Sequence, residues 1–383
     1  MRKIANIALA AALAAPAASF AAENIDLPRT LSSTAYGSGS AGHAQMVSIG
    51  NLLKNEYGTS LRIIPGENDV SRMTLLRSGR VPLCSCGIAA YFAQEGVLMF
   101  GDERWGPQKL RVITTAVADV GMGMVVAGDV GVKEPADLKG LRVASIRGGD
   151  AQNLGAESVL AFGGLTWDDV ERVEFPGYIK TLEGIVNNQV DAAFVMTVTS
   201  TTHQIASSSR GIQWPYMDPE ETEAWERAQA VAPYMQSHKV TVAAGDISAE
   251  NPWHGSSYPY PVLLGTDELD YDIASSMIRV FVEDFDKYKD AAPGNIGYAL
   301  SEQNLKWIIP FHEAVVDYYK EIGIWTEDHQ KHQDQLLERE RVLHAAWDEY
   351  RSAHSDLEGE RFAQGWQTAR SEALSKAGFA PTF

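Results

Sequence analysis

The sequence has 383 residues, of which 50 are acidic and 32 are basic, so its formal net charge at pH 7 is −18. Such a surface repels nucleic acid and anionic lipid headgroups, which excludes both classes as partners. The chain is too long for a single core and suits two lobes with an appendage.

The N-terminus has the pattern of a secretory signal. Arg2 and Lys3 give a positive start, an uncharged run covers residues 4–16, and small residues lead up to Ala21. The uncharged run is too short to span a bilayer comfortably, and no later segment reaches about 18 uncharged apolar residues. We therefore expect cleavage after Ala21 and a soluble protein in the periplasm.

The predicted elements alternate between strands and helices from residue 31 onward, as judged from apolar periodicity. The first set comprises strand 31–36, helix 44–55, strand 60–64, helix 70–78, strand 81–86, helix 88–95 and strands 110–117 and 120–127. The second set comprises strand 141–146, helix 151–162, strand 170–175, helix 178–187, strand 190–196 and helix 200–208. A return strand at 260–265, helices at 272–289 and 313–323 and a charged helical stretch at 326–370 follow.

This alternation predicts an α/β fold with mostly parallel sheets that helices cover on both faces. We place lobe 1 at residues 22–117 and 241–325, lobe 2 at 118–240, and a helical C-terminal extension at 326–383. Ligands of such sheets bind where strands end and helices begin, so the loops there are the candidate sites.

Cys84 and Cys86 are the two cysteines of the chain. Residues two apart on a strand share a face, but their Cα atoms lie near 7 Å, at the limit for a disulfide. We expect two buried free thiols and keep a disulfide as the alternative. A metal site is disfavoured because no second Cys or His cluster accompanies the pair.

The loop at residues 37–42 matches G-x-G-x-x-G between a predicted strand and a predicted helix, and Glu67 and Asp69 follow at about the distance of a ribose partner. A dinucleotide site is disfavoured because the preceding strand is polar and the protein is exported. A Gly/Ser loop at a helix N-terminus still offers free N–H groups to a carboxylate or phosphate.

A similar loop at residues 147–150 precedes the helix at 151–162. Arg147 could bind a carboxylate through both arms of its guanidinium, it could be a surface charge, or it could pair with Asp150. Asn68 or Asp69 is expected to cap the following helix, and Asn68 could also face the cleft.

Enzyme signatures are weak. An exported hydrolase that uses Ser38 or Ser40 with His43 stays an alternative, although no spacing ties the histidine to a serine nucleophile. His329 and His332 are three residues apart, and this pattern favours a solvated helix face over a metal pair. We predict a protein that is not an enzyme and has neither cofactor nor metal.

The order of several short segments resembles the TAXI family of solute-binding receptors for TRAP (tripartite ATP-independent periplasmic) transporters. The matching segments are STAYGSGS at 33–40, Asn68 with LLRSG at 75–79, DLKGLRV at 137–143, AESVL at 156–160, NQVDAAF at 188–194, and IPFH at 309–312 before YYKE at 318–321. Their order and spacing over about three hundred residues carry the resemblance.

The resemblance implies a periplasmic binding protein of type II-like, two-lobed fold that grips a small organic anion, such as glutamate or 2-oxoglutarate. It also implies delivery to an integral membrane TRAP subunit, and we expect a monomer. A receptor of an ATP-driven importer is the alternative. The implied ligand-binding residues, with three neighbours that we add to them, are Thr34, Tyr36, Ser38, Gly39, Ser40, Asn68, Ser85, Arg147, Asp150, Gln152, Thr197, Thr199 and Ser200.

Asp150 departs from the Gly-Ser-Gly-Thr-like loop that is usual in this family. Its carboxylate would repel a second carboxylate of the ligand unless it pairs with Arg147 or meets an amine.

Overall fold

The computed structural model describes residues 25–381, so the predicted signal segment and its cleavage after Ala21 lie outside the described residues. The strands are β1 Thr30–Tyr36, β2 Ser60–Gly66, β3 Leu83–Cys86, β4 Leu110–Thr115, β5 Met122–Ala127, β6 Arg142–Ile146, β7 Glu171–Phe175, β8 Ala192–Met196, β9 Ile212–Gln213, β10 Gln236–Val240, β11 Trp253–Ser257 and β12 Val262–Thr266. The helices are α1 Ala41–Tyr57, α2 Asp69–Arg77, α3 Ala89–Glu95, α4 Asp150–Phe162, α5 Tyr178–Val186, α6 Ser200–Ser207, α7 Thr222–Val231, α8 Tyr271–Glu283, α9 Phe285–Tyr288, α10 Glu313–Glu321, α11 Glu327–Ala353 and α12 Gly359–Lys376.

The strands form two mixed sheets, one in each lobe. Lobe 1 has the order β2-β1-β3-β12-β4, in which β12 runs antiparallel to both of its neighbours. Lobe 2 has the order β10-β11-β5-β8-β6-β7, and β9 pairs with β5. Helices pack against both sheets, so the two-lobed α/β fold predicted from the sequence is confirmed. The sheets are not mostly parallel as predicted, because β12 in lobe 1 and β5, β10 and β11 in lobe 2 form antiparallel pairs.

Two crossing segments join the lobes. Residues 116–121 lead from β4 into β5, and residues 258–261 lead from β11 back to β12. The segments pair with each other, because Tyr260 N donates to Ala116 O at 2.7 Å and Ala116 N donates to Pro261 O at 3.1 Å. The return to lobe 1 thus begins after Ser257 and not at residue 241, since the polar strands β10 and β11 were not recognised in the sequence.

Helix α1 illustrates how the sequence sets an element. Ser40 caps its first turn by accepting a hydrogen bond from His43 N, and Gly58 ends it in the left-handed conformation with φ of 72°. Met46, Ile49 and Leu53 recur along one face and are buried against the sheet of lobe 1. The cap places the Gly/Ser loop at the carboxyl end of β1.

Cys84 and Cys86 form a disulfide, so the expectation of two free thiols was wrong. Their Cα atoms lie 5.3 Å apart, which is closer than in a regular strand and within the range that a disulfide bridges. Cys86 Sγ contacts Met73 of α2, so the bridge lies on the α2 face of the sheet. Ser85 points to the opposite face.

The C-terminal extension is a hairpin of α11 and α12 that packs on lobe 1. Its aromatic residues Trp347, Tyr350, Phe362 and Trp366 form a buried cluster. Within residues 25–381, no helix has both the length and the apolar character that crossing a bilayer requires.

Candidate functional site

The two lobes meet at the carboxyl ends of their strands, and three helices of lobe 2 point their N-termini at lobe 1. Ala151 N of α4 donates to Asp69 Oδ2 at 2.9 Å, and Tyr178 N of α5 donates to Glu67 O at 3.4 Å. Ser200 of α6 donates to Gly39 O through its N at 3.2 Å and its Oγ at 2.7 Å. Lobe 1 therefore supplies the acceptors for these helix ends, and the lobes are closed on each other.

The Gly/Ser loop serves mainly to start α1. Ser38 and Gly39 are exposed, Gly39 has a φ of 91°, and Ser40 is buried as the cap. A Cβ at Gly42 would lie 2.9 Å from the Tyr260 hydroxyl, so the ring of that tyrosine fills the space beside the first turn. The G-x-G-x-x-G match is thus a helix start packed against a tyrosine.

A buried ion pair at the junction was missed in the sequence. Arg72 is 2% exposed and Asp69 is 1% exposed, and the two side chains pair through Arg72 Nη2 and Asp69 Oδ1. Arg72 Nη1 also donates to Gly66 O at 3.0 Å, and its guanidinium carbon lies 3.6 Å from the centre of the Tyr36 ring. Burial raises the pKa of Asp69, while Arg72 and the Ala151 N–H oppose that rise.

Tyrosine rings surround this ion pair in a continuous series across both lobes and a crossing segment. Ring centroids are 6.4 Å apart for Tyr178 and Tyr36, 5.3 Å for Tyr36 and Tyr260, 6.4 Å for Tyr260 and Tyr258, and 5.3 Å for Tyr258 and Tyr234. Burial raises the pKa of Tyr178 to about 12 and raises the pKa of the other four as well. All five phenols therefore keep their protons at neutral pH and can donate hydrogen bonds.

The second predicted loop, residues 147–150, has an exposed side chain at its start and a side chain at the junction at its end. The Arg147 side chain is 78% exposed and pairs with Glu174 Oε1 at 2.6 Å, on the outside of lobe 2. Only its backbone faces the junction, where Arg147 O accepts from Asn68 Nδ2 at 3.2 Å. Of the alternatives for Arg147, the structure contradicts a pair with Asp150 and fits a surface charge, because the guanidinium points away from the junction.

Asp150 lies at the junction itself. Its Oδ2 accepts from Met99 N of lobe 1 at 2.8 Å, and burial, with a smaller contribution from the charge of Asp69, raises its pKa to about 6. Gln152, two residues further along α4, is half-buried. Asn68 caps α2 by accepting from Ser71 N at 2.9 Å, as predicted, and also bridges to lobe 2.

The remaining predicted residues have different surroundings. Thr34 donates to Ile64 O at 2.9 Å, and Thr197 donates to Val242 O at 2.9 Å and accepts from Gly121 N at 3.1 Å. Thr199 Oγ1 lies 2.8 Å from the Tyr178 hydroxyl, so it touches the tyrosine series. Ser85 is fully buried within lobe 1, and its hydroxyl has no partner among the described residues.

The geometry gives the enzyme and metal alternatives no support. His43 donates its backbone N–H to Ser40 Oγ, and no hydrogen bond of its ring to Ser38 or Ser40 occurs in the described part of the chain. His332 Nε2 lies 2.9 Å from Trp307 O, and His329 belongs to the cap of α11. Across residues 25–381 no group of three or more His, Cys, Asp or Glu side chains is placed to hold a metal.

The sequence carries a signal for some of the missed residues at the junction and none for the others. Asp69 and Arg72 stand three apart at a helix start, a spacing at which an ion pair is ordinary. The tyrosines are separated by up to about two hundred residues along the chain, so no local pattern links them. Only the crossing segments and the closed lobes bring them together.

Comparisons with known proteins give the family of the chain and distant structural relatives. An ancestral arginine-binding protein bound to arginine is 12% identical over 70% of this chain and 100% of that one, with a TM-score of 0.43. The periplasmic aliphatic sulphonate binding protein SsuA from Escherichia coli is 15% identical over 82% of this chain and 88% of its own, with a TM-score of 0.41. No curated protein matches the sequence. The profile of the NMT1-like family matches residues 37–323, about three quarters of the chain, and the chain belongs to this family.

Proposed function

We propose that this protein is a solute-binding receptor that works in the periplasm and captures a small organic anion between its two lobes. The observation that carries the proposal is a buried cation at the closed junction of the lobes. Arg72 lies there against Tyr36, and its partner Asp69 accepts a hydrogen bond from the first turn of α4 in the other lobe. A ligand at this point would contact both lobes and favour their closure.

Arg72, rather than Arg147, is the residue that we propose for the ligand carboxylate. A buried guanidinium pairs with a carboxylate far more strongly than an exposed one does, because solvent screens it less. The ligand would share Arg72 with Asp69 or replace that carboxylate. Ser38, Ser40, Gln152 and Thr199 stay in the proposed lining, since they border the junction or its tyrosines.

Delivery to a membrane partner follows from the resemblance to the TAXI receptors. We propose a monomer that hands its solute to an integral membrane TRAP subunit driven by an ion gradient. The alternative is an ATP-driven importer. A neighbouring gene for a large permease without an ATPase would favour the first, and a neighbouring ATPase gene would favour the second.

The experiment that tests capture starts from protein isolated from the periplasm. Mass spectrometry of the native protein should detect a copurified solute, and organic acids or amino acids should raise the melting temperature of ligand-free protein by mass action. Arg72→Lys should weaken binding at least about tenfold, because a lysine cannot reproduce two-armed pairing.

Arg62→Lys is the matched control, since Arg62 is exposed on the neighbouring strand β2. Failure to detect a copurified solute, together with no thermal shift from a broad panel, would reject the receptor proposal. Equal loss in both variants would reject the role of Arg72.

A further inference from the structure

We infer that the solute is a monocarboxylate with a ring or a similarly apolar body, and not a dicarboxylate. The inference rests on the proposed function and concerns the chemistry of the same cleft. It departs from the solutes that the TAXI resemblance implies, which carry two carboxylates. Three features of the junction support it: its charge, its aromatic rings and a buried hydroxyl.

The first feature is charge. Within the described residues, Arg72 is the buried cation of the junction, and Asp69 already pairs with it. The other buried arginines serve different places, since Arg210 pairs with Asp129 and Asp191 of lobe 2 while Arg339 and Arg370 bind the C-terminal hairpin to lobe 1.

One ligand carboxylate can therefore pair with a cation at the junction, and a second carboxylate has no cation there to pair with. Arg147, the other cation expected there, pairs with Glu174 on the outer surface. Asp150 stands at the junction as a second acid beside Asp69 and repels further negative charge. An unpaired carboxylate buried in such a place would be strongly unfavourable.

The second feature is the tyrosine series. Tyr36 comes from lobe 1, Tyr178 and Tyr234 come from lobe 2, and Tyr258 and Tyr260 come from the crossing segment. Neighbouring rings stand edge to face at 5.3 to 6.4 Å. A solute held among them would contact ring faces and edges on several sides, which suits an aromatic or apolar body.

The third feature is the Tyr234 hydroxyl, which is buried and has no hydrogen-bond partner within residues 25–381. Most buried hydroxyls in folded proteins are paired. Several in the described residues are not, including those of Tyr298 and Tyr319 in lobe 1, but the Tyr234 hydroxyl is the one in the tyrosine series. Tyr234 packs on Tyr258, so its hydroxyl belongs to the same series of phenols. We assign it to an oxygen of the solute.

The test uses pairs of probes that share a ring or a carbon chain and differ by one carboxylate. Benzoate is compared with terephthalate, and pentanoate is compared with glutarate. The dicarboxylates 2-oxoglutarate and glutamate are tested as well. Calorimetry on the ligand-free protein should show benzoate binding at least about tenfold tighter than terephthalate, and pentanoate tighter than glutarate. Equal or tighter binding of the dicarboxylates would overturn the inference and leave the receptor proposal standing. Binding of none of these acids would also overturn the inference, while the receptor proposal is judged separately by the copurified solute and the broad panel.

Two variants sharpen the result. Tyr234→Phe keeps the ring and removes a hydroxyl that has no protein partner, so it should fold normally and bind benzoate several-fold more weakly. Tyr258→Leu should weaken benzoate more than pentanoate, because it removes a ring and keeps an apolar side chain. Tyr271→Leu, at an exposed tyrosine of lobe 1, is the control. Wild-type benzoate affinity in both cleft variants would overturn the inference.

Discussion

Two of the buried groups of arginine and carboxylate in the described part of the chain are built differently. At the junction, Asp69 and Arg72 are three residues apart on α2, so both belong to lobe 1. In the C-terminal hairpin, one carboxylate, Glu95 at the end of α3, receives two arginines from two other helices. Arg339 of α11 donates to it at 2.7 and 2.8 Å, and Arg370 of α12 pairs with the same carboxylate.

The difference shows which of the two packed surfaces can separate, the junction between the lobes or the contact of the hairpin with lobe 1. When the lobes separate, Asp69 and Arg72 stay together, and this ion pair loses the hydrogen bond from Ala151 N to Asp69. If the hairpin leaves lobe 1, Glu95 loses both arginines at once, and Glu95 and Arg370 are each 0% exposed. Trp366 Nε1 also donates to Gly96 O at 2.7 Å. The junction is thus suited to opening, and the hairpin is a permanent part of lobe 1.

The largest effect is expected at Glu95. Glu95→Gln leaves two guanidiniums without their carboxylate in the interior and should lower the free energy of unfolding by about 3–5 kcal/mol. Denaturation by urea, with limited proteolysis of the hairpin, measures it. Glu338→Gln is the control, because it removes an exposed pair with Arg341 on α11 and should cost less than about 1 kcal/mol. A loss at Glu95 no larger than in the control would contradict the permanent role of the hairpin.

The sequence predicted the helical extension, but it could not predict the surface on which the extension packs. Glu95 is 244 residues from Arg339 and 275 residues from Arg370, and nothing in the local pattern of α3 marks its glutamate as buried. Periodicity reports which face of an element is apolar, and a buried charge is an exception to that pattern.

The same limit explains the errors at the junction. Alternation of strands and helices placed the loops correctly, and the cap at Asn68 was predicted. Arg147 was misassigned because its partner Glu174 lies on β7, which pairs with β6 in a register that aligns Ile146 with Phe175. Strand order and register decide which side chains share a face, and the sequence alone does not supply them.

A smaller effect is expected at Asp150, the acid that joins the lobes through Met99 N. Its folded pKa of about 6 exceeds the ordinary 3.8, so the folded protein binds more protons than the unfolded chain between those values, and stability falls as pH rises through that window. Asp150→Asn keeps an acceptor for Met99 N and removes the charge. The variant should gain about 1 kcal/mol over wild type above pH 6, since solvent screens this half-buried group, and nothing below about pH 4.

Melting temperatures of both proteins from pH 4 to pH 8 measure this gain. Asp272→Asn, at an exposed acid in the first turn of α8, serves as the control and should show no gain that grows with pH. A constant difference between wild type and Asp150→Asn at every pH would mean that the carboxylate does not titrate in this window.

The smallest effect is expected at Arg147, where the sequence alone suggested one of the largest. If its guanidinium held the ligand carboxylate, Arg147→Ala would cost several kcal/mol of affinity. Because the side chain is 78% exposed and pairs with Glu174, itself 50% exposed, the substitution should change stability by less than about 1 kcal/mol and leave solute affinity within about twofold. Calorimetry with the copurified solute, compared side by side with Arg72→Lys, decides between the two arginines. A large loss at Arg147 with none at Arg72 would require that the lobes close in liganded protein with Arg147 turned inward, away from Glu174.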